Sequence, residues 1–188
     1  MRVETFSPEE TFQLGRSLGQ SAKAGEIYTL CGDLGTGKTV FTQGFAAGLG
    51  IREPVCSPTF TIVQEYGEGR LPLYHFDVYR IGDPEEMEEI GYEDYFYGDG
   101  VCLIEWADLI EELLPEQITR VRIGKEPEKG FDYRSICIVG EAEERAASAA
   151  AGCGLCPMEG EEKPAGPSRA SGLAAGDSRE AGERGEEA

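Results

Sequence analysis

Gly32-Asp33-Leu34-Gly35-Thr36-Gly37-Lys38-Thr39 is the stretch whose reading decides the fold. It fits G-x-x-x-x-G-K-[ST], follows the buried-strand run Ile27-Tyr28-Thr29-Leu30-Cys31 and precedes a predicted helix from about Lys38 to Leu49, so pattern and context agree. Glycines in such a loop let the backbone turn tightly and bring its amide hydrogens against phosphate oxygens, while the helix amino terminus adds partial positive charge. Lys38 is then placed to reach β and γ phosphates, and the Thr39 hydroxyl to coordinate a magnesium ion that bridges them. The nucleotide contacts are read as Gly32, Asp33, Leu34, Gly35, Thr36, Gly37, Lys38 and Thr39, continuing to position 40, where the chain has Val40. A glycine-rich turn capped by chance is the plain alternative.

A phosphate loop alone hydrolyses nothing, so the carboxylates near it matter. Val101-Cys102-Leu103-Ile104-Glu105-Trp106 reads as an apolar strand ending in an acid, which is Walker B character. Ligands of open α/β sheets gather at the carboxyl ends of strands, which brings Glu105 beside the loop to hold magnesium directly or through water. The simpler reading is a glutamate marking the strand's exit. In His75-Phe76-Asp77-Val78-Tyr79-Arg80, alternation puts His75, Asp77 and Tyr79 on one face. Asp77 can orient an attacking water or sit in the magnesium shell; Arg80 can steady charge on the phosphoryl group or anchor the strand's end. His75, the one histidine, reads as a hydrogen-bonded packing residue, because phosphoryl transfer demands little proton chemistry. Between these elements lies Ser57-Pro58-Thr59-Phe60-Thr61, either a nucleotide-sensing switch or a plain loop into a strand over Phe60–Tyr66.

The wider chain sets bounds. Its 188 residues, 40% apolar, suit one core, and no apolar run approaches the roughly 20 residues of a membrane helix. No leader pattern opens the chain at Met1, so a cytoplasmic protein with no membrane partner is expected. Of six cysteines, Cys31, Cys102 and Cys137 fall in strand-like runs and Cys56 in a loop, a scatter that fits a reducing compartment. A net charge of −19 opposes direct binding of a DNA or RNA backbone, so no DNA partner is expected and any RNA is met through a partner or a local patch.

Ser7-Pro8-Glu9-Glu10 sets a capping hydroxyl, a proline at the first helical position and a capping-box glutamate in order, predicting a helix to about Gly25 with Leu14 and Leu18 facing inward. From Glu141 onward the chain is mostly Ala, Gly, Glu, Ser and Pro, so residues 1–140 are expected to form the folded domain and 141–188 a disordered acidic appendage. Within it Cys153-Gly-Leu-Cys156 has metal-ligand spacing but no second ligand pair nearby.

Taken in order, Gly32–Thr39, Ser-Pro-Thr-Phe at Ser57–Phe60, His-x-Asp-x-Tyr-Arg at His75–Arg80 and Ile-Glu-Trp at Ile104–Trp106 resemble TsaE, a family also known as YjeE. The likeness covers roughly residues 1–140. It implies an α/β fold of the P-loop NTPase-like, three-layer kind, with a mixed, largely parallel central sheet. It also implies a magnesium-dependent ATPase of low intrinsic activity in the bacterial system that makes N6-threonylcarbamoyladenosine in tRNA. Such a protein works with TsaD and TsaB and meets tRNA only through them. Carried onto this chain, Lys38 and the loop amides grip ATP, Thr39 and Glu105 hold magnesium, and Asp77 supports hydrolysis, making Lys38, Asp77 and Glu105 the catalytic set. Thr11 becomes an adenine-side contact and Trp106 a border of the site. Thr36 stands where family members often have alanine, a change expected to face solvent and leave the cradle unaltered.

Two other classes stay open. A small-molecule kinase uses the same loop but needs an acceptor pocket and an arginine-bearing lid, and no such arginine cluster is evident. A nucleotide sensor binds without turnover. The absence of an Asn-Lys-x-Asp motif favours adenine over guanine.

Overall fold

Local signals start the first helix where the sequence places it. In the computed structural model, which describes residues 1–155 and 157–158, α1 spans Pro8–Ser21 and Ser7 caps it, its hydroxyl accepting from the Glu10 amide at 3.1 Å. The Glu10 carboxylate reaches back to the Phe6 amide at 2.7 Å, so two orphan donors are satisfied reciprocally. The helix stops at Ser21, short of the expected Gly25, and Arg70 donates to the carbonyls of Gly19 and Ala22 at its end.

The strands are β1 (Arg2–Thr5), β2 (Ile27–Cys31), β3 (Val63–Tyr66), β4 (Leu73–Asp77), β5 (Val101–Glu105), β6 (Thr119–Gly124), β7 (Arg134–Gly140) and β8 (Pro157–Met158). They join one sheet in the order β3-β4-β5-β2-β6-β7-β1-β8. The central four, β4, β5, β2 and β6, run parallel, and antiparallel pairings flank them on both sides. The sheet is thus mixed, with its parallel part at the centre.

Alternation along each strand separates two cores. Tyr28, Leu30, Leu103, Val121 and Ile136 pack under α1 and α2 (Lys38–Leu49), while Ile27, Phe76, Cys102 and Ile104 face α3 (Glu86–Ile90), α4 (Tyr92–Phe96) and the 3-10 segment Ala107–Leu113. Helix, sheet and helix form the three layers.

Residues 141–155 correct the expected boundary. α5 (Glu143–Gly152) lies against α1, with Ala146 and Ala150 fully buried in the first core and Leu155 joining them. Alanines four apart present one narrow face, and small side chains suffice when the partner helix comes close. Arg145 adds an ion pair with Glu26. Residue 156 and the remainder of the expected appendage, 159–188, lie outside the described residues.

The α1–α2 contact explains why both helices carry glycine. A methyl at Gly15 or Gly19 would run into the carbonyls of Phe41 and Phe45, and one at Gly44 or Gly48 into those of Phe12 and Arg16. α2 is therefore fixed at backbone distance, and with it the loop at its amino end. Gly44→Ala is expected to lower stability by about 1–3 kcal/mol, the usual cost of overpacking, seen as an earlier urea midpoint; an unchanged midpoint would contradict so close an approach.

Candidate functional site

The loop between β2 and α2 turns through three glycines of positive φ, Gly32 at 148°, Gly35 at 75° and Gly37 at 97°, conformations that a Cβ strains. Gly37 sits at the N-cap of α2 with no side-chain cap, so the helix's leading amides are left for a ligand. Nζ of Lys38 donates to the carbonyls of Gly32 at 2.8 Å and Asp33 at 3.2 Å and lies 4.4 Å from the centre of the Trp106 ring. Asp33, Leu34 and Gly35 are exposed, and Thr39 and Val40 half-buried.

Thr36 does not face solvent as expected. It is 1% exposed and its hydroxyl donates to the Asp33 carbonyl at 2.9 Å. The hairpin of β6 and β7 covers it: Nε of Arg134 donates to the Thr36 carbonyl at 2.7 Å, and Nζ of Lys125 to the Leu34 carbonyl at 3.2 Å. These two cations are the site-lining residues that sequence reasoning missed; each follows an unremarkable local pattern, and only strand pairing brings it to the loop.

On the other side of β2, parallel register assembles the acids. Leu30 pairs with Glu105, and Glu105 with Asp77, so both carboxylates stand at the carboxyl ends of adjacent strands beside the loop, each 3% exposed. Their surroundings differ. Oδ2 of Asp77 accepts from Ser57 and Thr59 hydroxyls, both at 2.6 Å, and Oδ1 from the Tyr79 amide at 3.1 Å. Oε1 of Glu105 faces Nε2 of His75 at 3.1 Å, and no other described group bonds to its carboxylate.

The segment around residues 57–62 is thus tied to Asp77, and the strand expected over Phe60–Tyr66 begins only at Val63, after a turn in which Ile62 takes φ 65°. Such a value is an outlier for a β-branched residue. Trp106, at φ 62°, is the other non-glycine residue with positive φ among those described. Both border the acids, where backbone strain is commonly held by surrounding contacts. Trp106 packs its ring at 5.0 Å from that of Tyr79.

Of the remaining expected residues, His75 and Asp77 share a face, but β4 ends at Asp77 and Tyr79 is 59% exposed. Arg80 lies over the Phe60 ring at 4.6 Å, away from either acid's hydrogen bonds. Thr11 is buried, its hydroxyl shared with Thr5 at 2.7 Å. Cys31, the last residue of β2, has its thiol pushed up to about 12 by burial and the nearby Asp108 carboxylate, so it stays protonated near neutrality. Cys153 bonds to Ser17 at 3.1 Å. No group of three His, Cys, Asp or Glu among the described residues is arranged to hold a metal unaided, and no described helix is long and apolar enough to cross a membrane.

If Asp77 latches the loop, Asp77→Ala should accelerate amide hydrogen exchange across residues 57–62 while leaving α2 protected; unchanged exchange there would remove the latch.

Comparison with known proteins gives a family model, "Threonylcarbamoyl adenosine biosynthesis protein TsaE", matching residues 5–136. A Bacillus subtilis protein named tRNA threonylcarbamoyladenosine biosynthesis protein TsaE is 52% identical over 136 residues, 72% of this chain and 83% of that protein. One of the same name from Treponema pallidum is 42% identical over 123 residues, 65% of this chain and 90% of that protein. A crystal structure of YdiB from Bacillus subtilis superposes with TM-score 0.66 at 42% identity, covering 82% of this chain and 93% of that one.

Proposed function

The chain belongs to the TsaE family of tRNA threonylcarbamoyladenosine biosynthesis, and on that premise we propose that it binds ATP with magnesium and hydrolyses it slowly, in support of the TsaD and TsaB proteins. One observation carries the reading: a glycine loop with its lysine at a helix amino end has two buried carboxylates in register beside it.

The sheet order supports one direction for the triphosphate in this reading. Asp77 and Glu105 flank the loop from β4 and β5, and from the opposite side Lys125, just after β6, and Arg134, on β7. The carboxylates attract a divalent cation and repel bare phosphate, so in this reading the cation-carrying γ end of the triphosphate belongs on the acid side, and the rest of the nucleotide extends toward the cations. Lys38, now held by carbonyl oxygens of its own loop, exchanges them for phosphate oxygens, which are stronger acceptors for an ammonium group.

The donor set fits magnesium. This ion is commonly held by one or two carboxylates together with substrate phosphates and waters, and the Thr39 hydroxyl, the unbonded Oε2 of Glu105 and a triphosphate supply that combination. When bound it would neutralise charge on the β and γ phosphates. Oδ2 of Asp77 accepts from Ser57 and Thr59, and that oxygen becomes free to orient water when the segment moves. Hydrolysis is therefore slow until something shifts the loop, and a partner surface is the expected agent. The overall charge of −19 makes contact with tRNA through the partners the favoured route.

Reconstituted tRNA modification is the assay. Lys38→Ala is expected to abolish the support this chain gives to repeated cycles; undiminished cycling would contradict the assigned role, and phosphorylation of a small metabolite would replace it with a kinase. Asp77→Ala should leave ATP affinity near wild type and cut turnover by about a hundredfold or more, the lower end for loss of a group that positions or deprotonates a reactant; unchanged turnover would remove Asp77 from the mechanism.

A further inference from the structure

His75 is fully buried, and its two nitrogens are treated unequally. Nε2 meets Oε1 of Glu105 at 3.1 Å, while Nδ1 has no hydrogen-bond partner. Core filling does not explain an imidazole here, since an aliphatic side chain of similar size would leave no polar atom orphaned in the interior. The contact also selects a tautomer. A proton on Nε2 donates to the carboxylate and leaves only a lone pair unpartnered at Nδ1. The reverse tautomer would aim a lone pair at the carboxylate and bury an unpaired N–H.

The contrast between the two acids gives the bond its meaning. Asp77 is fixed by three donors and needs no further support. Glu105 ends its strand with a flexible side chain that one described group restrains, and that group is His75. From these contacts we propose that His75 is a positioning residue: its Nε2–H holds Oε1 of Glu105 and so presents Oε2 to the divalent cation that accompanies the triphosphate. The inference rests on the reading of Glu105 as a magnesium-holding acid and adds to it the group that aims the carboxylate. His75 touches neither nucleotide nor ion. Its effect passes through Glu105 alone, as outer-shell partners of ligating carboxylates act.

Side-chain length provides the test. The amide nitrogen of glutamine is as many bonds from Cβ as Nε2, whereas that of asparagine matches Nδ1. The full chain and its H75Q, H75N and H75L variants are titrated with Mn2+ in the presence of saturating ATP, free ion being read by electron paramagnetic resonance. ATP affinity in EDTA and the thermal midpoint are measured alongside. H75L and H75N are expected to lose about 10–100-fold in Mn2+ affinity with ATP affinity in EDTA unchanged, and H75Q to recover most of the loss. A packing role would make Mn2+ affinity follow the thermal midpoint rather than the position of the donor. Wild-type affinity in H75L, or equal losses in H75Q and H75N, would overturn the proposal while leaving the ATPase reading intact. If the unsubstituted chain takes up ATP but no Mn2+, the magnesium reading of Glu105 falls and His75's role falls with it.

Discussion

Parallel pairing of β2, β5 and β4 is the constraint on which the site depends. In a parallel ladder neighbouring strands lie roughly 4.8 Å apart and all carboxyl ends emerge on one edge. Leu30, Glu105 and Asp77 stand abreast on that edge, so the loop that leaves β2 meets two carboxylates without any long-range loop having to place them. A one-residue slip of β5 would turn Glu105 to the opposite face and separate it from both Asp77 and His75. The apolar alternation of β5, with Leu103 and Cys102 in different cores, guards against that slip.

Two further contacts make the edge a rigid cradle. Glycine-to-backbone packing between α1 and α2 sets the height of the helix whose amino end opens on the glycine loop. The β6–β7 hairpin closes over the loop through Thr36, Lys125 and Arg134, and is itself tied to β1 by the ion pair of Lys129 with Glu4 at 3.2 Å. The movable part lies on the acid side, where Ser57 and Thr59 hold Asp77 and strained Ile62 ends the turn. A hydrogen-bonded hairpin on the cation side and a releasable latch on the acid side suit the controlled turnover proposed above.

What is legible in the sequence follows from how local each signal is. The glycine loop between strand and helix, the capping of α1 and the acid at the end of β5 are written in consecutive residues with strong backbone preferences, and the structure places them where those preferences point. The burial of Thr36 is not legible, because it is made by a hairpin whose Arg134 lies 98 residues downstream. α5 escapes a sequence reading for a related reason. Alanine and glycine carry little hydrophobic signal on their own, and they become core only against a helix that approaches closely. His75 reads from the sequence as a hydrogen-bonded packing residue; that its partner is Glu105 depends on register across β4 and β5, which no single segment encodes.

In the function proposed here, the loop and the acid edge together form one site for a triphosphate and its divalent ion. Crystals grown with Mn2+ and a non-hydrolysable ATP analogue test it through anomalous scattering. A manganese peak is expected within coordination distance of the Thr39 hydroxyl and Oε2 of Glu105, with the triphosphate wrapped by residues 32–39. A triphosphate bound elsewhere, or a manganese peak remote from Glu105, would contradict it.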